Sequence, residues 1–397
     1  MLKNLLLHLF SKLSSERGVI EISDLSSILK KIIAPAIQRQ LFKETVLLDK
    51  LKKNSGIIRM PNNTFYIPMQ VGHHSGIYSV AEGAQILKGE AKYAQPYVSA
   101  KYTFGSFEIT DQAIEAANDS MAAIATVLNE NSMSLKTALR KDVNRIALGD
   151  GTGQLCLVNG ASSGTTLTVD TPGTEYLREG GQILVNALTR TISSVDSDTQ
   201  VTLTASASVD DNDIVTRAAA DEGMGLKGGI DDGDFVATIQ NITRASNTYT
   251  VSYADDTAEQ LTESDMITAF LTAKKYGNPK VALMGQTLFQ RYGSILTSMK
   301  KTADLKEVLS GGWKGLDFMG GDCAVMLDYD VPAGFVFFVD FDSITIGEMT
   351  PVSWLDRGAG VLTKVPDYAK WEGTMRYYWN IIFKNFRANA RLSAKTA

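Results

Sequence analysis

Three stretches decide the fold. They are a strand-like KYTFGSFEI (residues 101–109), a helical DSMAAIATVLNENSMSLKTALRKDVNRIAL (residues 119–148) and a closing GDGTG (residues 149–153). At about 1.5 Å per residue, a helix of roughly thirty residues is about 45 Å long, which is the span of a whole domain. A rod of that length is poor geometry for a pocket, and it favours contact with neighbouring subunits.

The strand 101–109 returns from a long excursion that covers residues 66–100. Residues 65–69 are predicted to form the outgoing strand and residues 97–104 its returning partner. The stretch between them holds Gly72, Gly76, Gly83 and Gly89. It is too long and too rich in glycine for a tight hairpin, so we predict a projecting two-stranded finger.

Composition excludes several classes of protein. The chain has 397 residues, is 44% hydrophobic and carries 39 basic against 44 acidic residues, a net charge of −5. This is ordinary for a globular chain of two or three substructures, and the whole molecule is not built to coat nucleic acid. The charge is uneven, because residues 1–60 carry eleven Lys/Arg against five Asp/Glu. The sequence therefore predicts a basic N-terminal arm on an acidic body.

The cysteines and the N-terminus predict a soluble protein in a reducing compartment. Cys156 and Cys323 are far apart and belong to no Cys-x-x-Cys motif, so neither a disulfide framework nor a zinc cluster is expected. The apolar LLLHLF (residues 5–10) is short and lacks a cleavage site, which favours an amphipathic helix over a signal peptide. No apolar run approaches the eighteen or so residues of a membrane span, so no membrane partner is expected.

The remaining segments differ in composition and in predicted secondary structure. Apolar residues from Leu25 to Leu51 recur at helical spacing, interrupted at Pro35. Between residues 155 and 217, short Thr/Val-rich runs bounded by Gly, Asn and Asp predict a small barrel or sandwich of five strands that looks inserted. These runs are residues 165–169, 183–185, 191–192, 201–204 and 214–215. An α/β pattern follows. It comprises a helix from Thr262 or Ser264 to Tyr276, a strand 280–284, a helix 286–298, strands 323–327 and 335–339, and extended chain over 374–392.

This order of parts resembles the major capsid proteins of tailed bacteriophages, with the Hong Kong 97-type capsid fold, over most of the chain outside residues 154–219. The stretches that carry the resemblance are Gly76-Ile77-Tyr78, Val80-Ala81-Glu82-Gly83-Ala84, residues 104–110, residues 149–153 and the strand–turn–strand from Asp328 to Asp340. The resemblance implies an α+β fold with an N-terminal arm, an extended E-loop, a long spine helix, and peripheral and axial domains. Here a small all-β domain is inserted.

By this resemblance the chain divides into seven segments. They are the arm (1–60), the E-loop with its flanking strands (61–108), the spine helix of the peripheral domain (109–153), the inserted β domain (154–219), peripheral-domain strands and a connection (220–260), the axial domain (261–350), and C-terminal strands that return to the peripheral and axial domains (351–397). No long, highly charged coiled-coil prologue precedes the arm. A fused scaffold is therefore not expected, and a separate scaffold or a removable short N-terminus has to be considered.

The resemblance implies self-assembly into hexamers and pentamers of an icosahedral shell around double-stranded DNA, with no enzymatic activity. Scaffolding, portal and decoration proteins are the implied partners, and the virion, assembled in the host cytoplasm, is the implied location. The basic side chains of the arm either form a solvated helix face or turn towards packaged DNA, without sequence preference, or towards a neighbour's acidic face, and these readings are compatible. They are Lys30, Lys31, Arg39, Lys50, Lys52 and Lys53.

Two alternatives remain at this stage. An encapsulin-like compartment that holds a cargo enzyme has the same architecture, although the extra insertion and length disfavour it. A hydrolase or a carbohydrate-binding protein with a β-module at 154–219 belongs to a different class.

The chemical motifs favour ordinary structure over catalysis. GASSG (160–164) matches a nucleophile elbow, but strand signals lie on both sides and every histidine of the chain precedes the serine, so a hairpin turn is favoured. The glycines of GMGLKG (223–228) match a dinucleotide fingerprint without the buried strand that must precede it, which favours a flexible hinge. GDGTG (149–153) lacks the Gly-Lys-Ser/Thr of a phosphate loop, so it is predicted to end the helix.

Candidate ligands are equally weak. His73 and His74 are adjacent, so on a strand they would point to opposite faces and could not chelate one metal ion. The acidic DDGD (231–234) favours a solvated turn over a cation site. Lys88 or Lys92 with Asn385 or Asn389 suggests an inter-subunit cross-link, but no buried carboxylate catalyst is evident. The sequence therefore predicts no catalytic, cofactor-binding or metal-binding residue, and no cofactor.

Overall fold

The computed structural model describes residues 46–54, 56–86, 88–112, 121–170, 173–218, 221–300, 316–318, 322–356 and 361–397. The chain forms two compact units. The larger comprises Phe42–Thr103, Ala138–Pro351 and Tyr377–Ala397, and the smaller includes Phe104–Thr137 and Val352–Arg376. Most of the predicted arm, with Lys30, Lys31 and Arg39, lies outside the described residues, as do residues 113–120, which include Asp119.

The first described element is a helix, Val46–Asn54. It buries Leu47, Leu48 and Leu51 completely, which is the apolar face that the helical spacing predicts. The exposed Lys52 and Lys53 follow in its last turn. A short strand, Ile57–Arg59, then pairs in parallel with residues 346–348 of the long strand Ile344–Trp354.

The finger comprises residues 64–99, and its two-stranded form is as predicted. At its base Thr64–Tyr66 pairs antiparallel with Tyr97–Ser99, and further out Met69–Gly72 pairs with Lys92–Ala94. The two sides meet closely beyond these strands, because a Cβ on Gly89 would lie 2.2 Å from the backbone nitrogen of Gly76. Only glycine permits this approach of backbone to backbone.

The spine helix runs from Met121 to Leu148. Toward its C-terminal end it buries Leu139, Val143 and Ile146, which recur at steps of four and three residues as predicted. The glycine-rich stretch after it turns the chain sharply, with φ values of 81° at Gly151 and 80° at Gly153. These left-handed conformations explain why glycine stands at both positions.

Residues 154–218 form a closed β-barrel, which we call the β-module. Its strands are Gln154–Leu157, Thr166–Thr168, Gln182–Val185, Leu188–Ser197, Gln200–Leu203 and Ile214–Arg217. A bridge between Val158 and Val169 joins the first and last strands of the sheet and closes the barrel. The five-strand prediction is therefore one strand short. The missed strand, Gln154–Leu157, buries two consecutive residues and so lacks the alternation that marks a half-buried strand.

The α/β part contains a six-stranded sheet. Its spatial order is Tyr253–Asp255, Ala390–Leu392, Val336–Val339, Val281–Met284, Cys323–Leu327 and Leu316–Phe318. Two helices accompany it, Glu263–Lys274 and Gln286–Lys300. The first opens with a capping box between Thr262 and Asp265, which decides between the two predicted starts.

A five-stranded sheet contains the longest strands of the chain. Its order is Ile57–Arg59, Ile344–Trp354, Lys370–Phe383 and Leu362–Lys364, and Lys101–Thr110 also pairs with Lys370–Phe383. In the smaller unit Phe107 packs edge-on against Trp354, and the indole of Trp371 donates to Asp111 over 3.0 Å. The short elements are Leu226–Gly229, Thr238–Ile239, Ile242–Thr243, Arg244–Ser246, Thr248–Thr250, Glu259–Gln260, Phe386–Ala388 and Lys395–Thr396.

Candidate functional site: the finger and its groove

The finger presents apolar side chains that the subunit does not cover. We call residues 75–86 the finger tip. Within it Ile77 is 86% exposed and Ile86 is 77% exposed, and Val80 is exposed as well. Burying an isoleucine side chain contributes about 1.5–3 kcal/mol, so a folded chain rarely leaves two of them in water without a partner. The tip has the character of a contact surface.

A groove of about 760 Å³ lies at the base of the finger. One wall is the finger itself, through Ile67, Met69 and neighbouring residues. Tyr249, Tyr276 and the chain around Ile382 also line it, and Ile382 is fully buried against Ile67. We call it the finger-base groove. Apolar and aromatic walls of this kind are typical of sites that receive apolar side chains.

The far wall of the groove is held in place by hydrogen bonds. The Arg387 guanidinium lies over the Tyr276 ring, 5.1 Å from its centroid, and donates to the carbonyl of Thr248 over 2.8 Å. The Asn385 amide donates to the carbonyl of Tyr276 over 2.9 Å. These contacts tie Tyr276 and the chain around Arg387 to each other.

A buried ionic network lies under the acidic DDGD stretch, and the solvated-turn prediction is wrong for its first residue. Asp231 is fully buried, with Arg391 Nη1 at 2.7 Å and Arg244 Nη1 at 3.0 Å from its carboxylate oxygens. Its carboxylate also accepts from the backbone nitrogen of Val236. Sequence reasoning missed this because the two arginines are distant in sequence, and a single acidic turn gives no sign of them.

Two acidic groups carry enough carboxylates to suggest a cation. Asp232, Asp234 and Asp256 lie close together, and Arg391 Nη2 is 2.8 Å from Asp256. Burial first, and then the neighbouring Asp232 and Asp234, raise the pKa of Asp256. The second group, Asp255, Glu259 and Asp265, is served by the ammonium of Lys395, which lies 2.9 Å from Asp255 and 2.7 Å from Glu259. In both places an arginine or a lysine supplies positive charge.

A second network fixes the end of the spine helix to the β-module. Asp142 pairs with Arg145 at 3.1 Å and with Arg217 of the β-module at 2.9 Å. Burial alone would raise the pKa of Asp142, but the two arginines outweigh it and hold the pKa below its usual value. Arg145 also pairs with Glu222 at 2.5 Å and donates to the carbonyl of Gln154.

A relay of polar contacts continues from this network. The Tyr176 hydroxyl of the β-module contacts Asp330, and the Asn144 amide donates to Asp330 over 2.5 Å and to Asp328 over 3.3 Å. Asp328 in turn accepts from the backbone nitrogen of Leu47 in the first described helix, over 3.4 Å. The β-module, the spine helix and the first described helix thus share one set of contacts.

The serine motif and the two described histidines lie in different parts of the chain. Ser162 lies in the β-module, where its backbone bridges Val209 and its hydroxyl donates to the carbonyl of Thr166. The strands on both sides agree with the predicted turn. His73 and His74 are exposed in the finger, and His74 Nδ1 accepts from the backbone nitrogen of Gly76 over 3.0 Å. The structure does not bring them to Ser162, which lies in the β-module.

The glycines of residues 223–228 are packed, so the hinge prediction is wrong. A Cβ on Gly225 would lie 2.4 Å from the carbonyl oxygen of Ile146, and one on Gly228 would lie 2.3 Å from Met224 Sδ. A four-residue helix, Leu226–Gly229, follows at once. These glycines are needed because backbone passes directly over the end of the spine helix, and a mobile hinge could not be enclosed in this way.

The lysines and asparagines considered for an inter-subunit cross-link differ in their exposure. Lys88 and Lys92 are exposed in the finger. Asn389 is fully buried, and its amide donates to Ser343 Oγ over 2.8 Å while its oxygen accepts from the backbone nitrogen of Asp340. Asn389 therefore serves the core. Asn385 is held against Tyr276 in the groove wall, as described above.

Cys156 and Cys323 are both free and buried. Burial and a neighbouring aspartate, Asp170 and Asp322 respectively, raise the pKa of each thiol to about 12. Among the described helices, none combines the length and the apolar character needed to cross a bilayer.

Comparisons with known structures identify the fold of this chain. No protein-family model matches the sequence, and no curated protein matches it. The structure is similar to a chain of the cyanophage A-1(L) capsid asymmetric unit, at 12% identity and a TM-score of 0.55, over 86% of this chain and 90% of that one. It also matches the capsid of a native GTA particle (10% identity, TM-score 0.48, 87% and 90% covered) and the SrpI encapsulin of Synechococcus elongatus PCC 7942 (8%, 0.46, 87% and 87%). The chain has the α+β fold of phage major capsid proteins.

Proposed function

We propose that this protein is a major capsid protein whose copies assemble into hexamers and pentamers of an icosahedral shell around double-stranded DNA. The fold supports this function, and one observation carries it: a finger with exposed isoleucines projects from a subunit that already has its own cores. Such side chains become buried only against another copy, and the same contact repeats around the shell.

The shell proposal requires no chemistry from the chain. The charged groups that are buried, such as Asp231 and Arg145, pair with one another inside the subunit. Serine, histidine and cysteine are not brought together in the sites described above. We therefore propose a structural role without catalysis, metal or cofactor.

The proposed partners follow from the same role. Scaffolding, portal and decoration proteins would act at assembly, in the host cytoplasm, and the virion would be the final location. The basic arm, of which Lys50, Lys52 and Lys53 are described, would contact packaged DNA through phosphates and without sequence preference. The seven-segment division of the chain is part of this proposal.

Electron microscopy of the purified protein tests the function. We expect rings and closed shells, because assembly would remove the exposed apolar side chains of the finger from water. Shells with an interior large enough for a phage genome support a capsid protein. Small shells that enclose a protein cargo would instead indicate a compartment of the encapsulin type. A well-folded monomer at high concentration and physiological salt would overturn both.

A further inference from the structure

We propose that the finger-base groove receives an extended acidic segment of another protein, which adds a third strand to the base of the finger. This inference goes beyond the proposed function and does not depend on it. It rests on an unpaired strand edge beside the groove, on an excess of positive charge in the groove lining, and on the way the aromatic side chains there are already occupied.

The groove runs along the edge of the finger strand Met69–Gly72. Every residue from Ile67 to His73 lines it. Successive side chains of a strand point to opposite faces, so a groove that touches each residue in turn passes along the edge of the strand and not over one face. The backbone of this strand is therefore open to the groove.

This edge has no partner strand in the described part of the chain. Met69–Gly72 pairs with Lys92–Ala94 on one side, and the two form a sheet of two strands. An unpaired edge presents backbone N–H and C=O groups that a further strand can satisfy. When an extended peptide adds to such an edge, backbone hydrogen bonds give affinity, and the surroundings of alternate side chains give specificity.

The groove lining is basic although the protein is acidic. Lys384, Arg387 and His73 are among the described lining residues, and none of these is Asp or Glu. The chain as a whole carries a net charge of −5. Lys384 is exposed, and Arg387 uses Nε and Nη2 on the carbonyl of Thr248, which leaves its Nη1 without a contact among the described residues. These cationic groups complement carboxylates on the occupant.

The aromatic lining suits a peptide better than a nucleic acid. A base would stack on the open face of a ring. The Tyr276 ring, however, already has the Arg387 guanidinium 5.1 Å and the Lys275 ammonium 5.5 Å from its centroid. Apolar side chains of a peptide need no open ring face, and the half-buried Met69 and Val71 of the strand offer them apolar contact. The occupant is therefore a peptide in which acidic and apolar side chains alternate.

A short fluorescein-labelled peptide that alternates valine and glutamate is the probe, used with the full-length protein. We expect fluorescence anisotropy to show binding, with an affinity that falls as salt is raised. The same peptide with lysine in place of glutamate should bind about tenfold more weakly. A valine–glutamate peptide methylated on alternate backbone nitrogens keeps its side chains but loses the donors of one edge, and we expect it also to bind about tenfold more weakly.

A charge reversal in the groove tests the basic lining. Lys384 is exposed, so Lys384→Glu leaves the core intact. We expect this variant to bind the glutamate peptide roughly five- to tenfold more weakly and the lysine peptide more tightly than the wild type does. The matched control is Lys364→Glu, which reverses an exposed lysine on the strand Leu362–Lys364, outside the groove lining. It should bind both peptides as the wild type does.

Hydrogen exchange tests the added strand, because charge attraction alone would not protect backbone amides. We expect exchange over residues 69–72 to slow when the glutamate peptide is bound. The strand Thr64–Tyr66, which pairs with Tyr97–Ser99 at the base of the finger, is the internal control and should exchange at an unchanged rate.

Three outcomes would overturn the proposal. The first is equal binding of the glutamate and lysine peptides, or binding that leaves exchange over residues 69–72 unchanged. The second is a thymidine oligonucleotide that displaces the glutamate peptide, which would assign the groove to single-stranded nucleic acid. The third is protection of residues 69–72 that rises with protein concentration alone, which would assign the groove to a second copy. The capsid function stands or falls separately, on the electron microscopy described above.

Discussion

The Asp231 carboxylate lies 2.7 Å from Nη1 of Arg391, and both side chains are fully buried. The same carboxylate serves Arg244 at 3.0 Å, and Arg244 also donates to the carbonyls of Gly228 and Gly229. One acidic residue thus joins the short helix Leu226–Gly229 to the C-terminal strand Ala390–Leu392. Removing Asp231 would take a paired carboxylate away from both buried arginines, and Arg391 would keep its contact with Asp256.

We predict that Asp231→Ala lowers the free energy of unfolding by about 3–5 kcal/mol, because two buried arginines lose their common partner. Urea unfolding followed by tryptophan fluorescence measures the effect. Asp232→Ala is the matched control. It changes a neighbouring carboxylate that is partly exposed and lies farther from Arg391, at 3.9 Å. We expect it to lower the free energy of unfolding far less. Equal losses in both variants would contradict the role given to Asp231.

The packed glycines give a second prediction. A Cβ on Gly229 would lie 1.9 Å from Cζ of Phe383, whose ring is fully buried and stacked on Phe386. We therefore expect Gly229→Ala to destabilise the fold by about 1–3 kcal/mol through overpacking. Gly293→Ala is the opposite control, since a Cβ there meets nothing within 4 Å and the residue lies inside the helix Gln286–Lys300. It should stabilise by up to about 1 kcal/mol. Thermal unfolding of both variants decides, and equal shifts would refute the packing argument.

The sequence predicts those elements that have a strong local period. The finger strands, the spine helix and the helix after Thr262 follow from glycine spacing, apolar steps and a capping pattern. The strand Gln154–Leu157 does not follow, because its burial comes from closing the barrel and shows no alternation. Local pattern identifies an element, whereas closure depends on partners far along the chain.

The contact surfaces and ionic networks could not be predicted from the sequence either, because their members are also distant along the chain. Asp231 belongs to a hydrophilic turn by sequence and to the core by structure, because Arg244 and Arg391 arrive from distant segments. The finger-base groove likewise combines Met69, Tyr249 and Arg387, which no local pattern connects. The glycines at 223–228 match a hinge and a packed crossing equally well. Only the position of the spine helix decides between them.

Asp328, which lies between Asn144 and Leu47 in the polar contacts described above, predicts that the free energy of unfolding depends on pH. Burial, with the nearby Asp330 as a further cause, raises the pKa of Asp328 above its usual value. The folded state therefore holds a proton on Asp328 at pH values where the unfolded chain has lost it. The contribution of this group to the free energy of unfolding is largest below the ordinary aspartate pKa of about 4, and it falls as the pH rises through the raised pKa.

We predict that Asp328→Asn removes this part of the pH dependence, so that its unfolding free energy falls less than that of the wild type from pH 4 to neutral pH. Urea unfolding at a series of pH values measures it. Asp342→Asn is the control, since its side chain is 71% exposed, and we expect it to retain the wild-type slope. A variant profile parallel to that of the wild type at every pH would show that Asp328 does not titrate in this range.

The β-module gives the last prediction. It has its own core, formed by Cys156, Val185, Val201 and their neighbours, and its strands close on themselves. Deleting residues 154–219, with Gly153 joined to Ala220, should therefore leave a subunit that folds. The deletion also removes Arg217 from Asp142 and Tyr176 from Asp330, so we expect the shortened subunit to be less stable than the full chain. Arg145 retains Asp142 and Glu222, which prevents a wholly unpaired buried charge.

Thiol labelling makes this test local. In the shortened chain Cys323 is the remaining thiol, and burial with the nearby Asp322 raises its pKa to about 12, so it should stay unlabelled at pH 7 until the α/β sheet opens. We expect protection of Cys323 in both chains without urea, and labelling of the shortened chain at a lower urea concentration. The matched control is Cys156→Ser in the full chain, which also leaves Cys323 as the only thiol. If Cys323 of the shortened chain is labelled at once in the absence of urea, the β-module belongs to the folding core of the subunit and is not an addition to it.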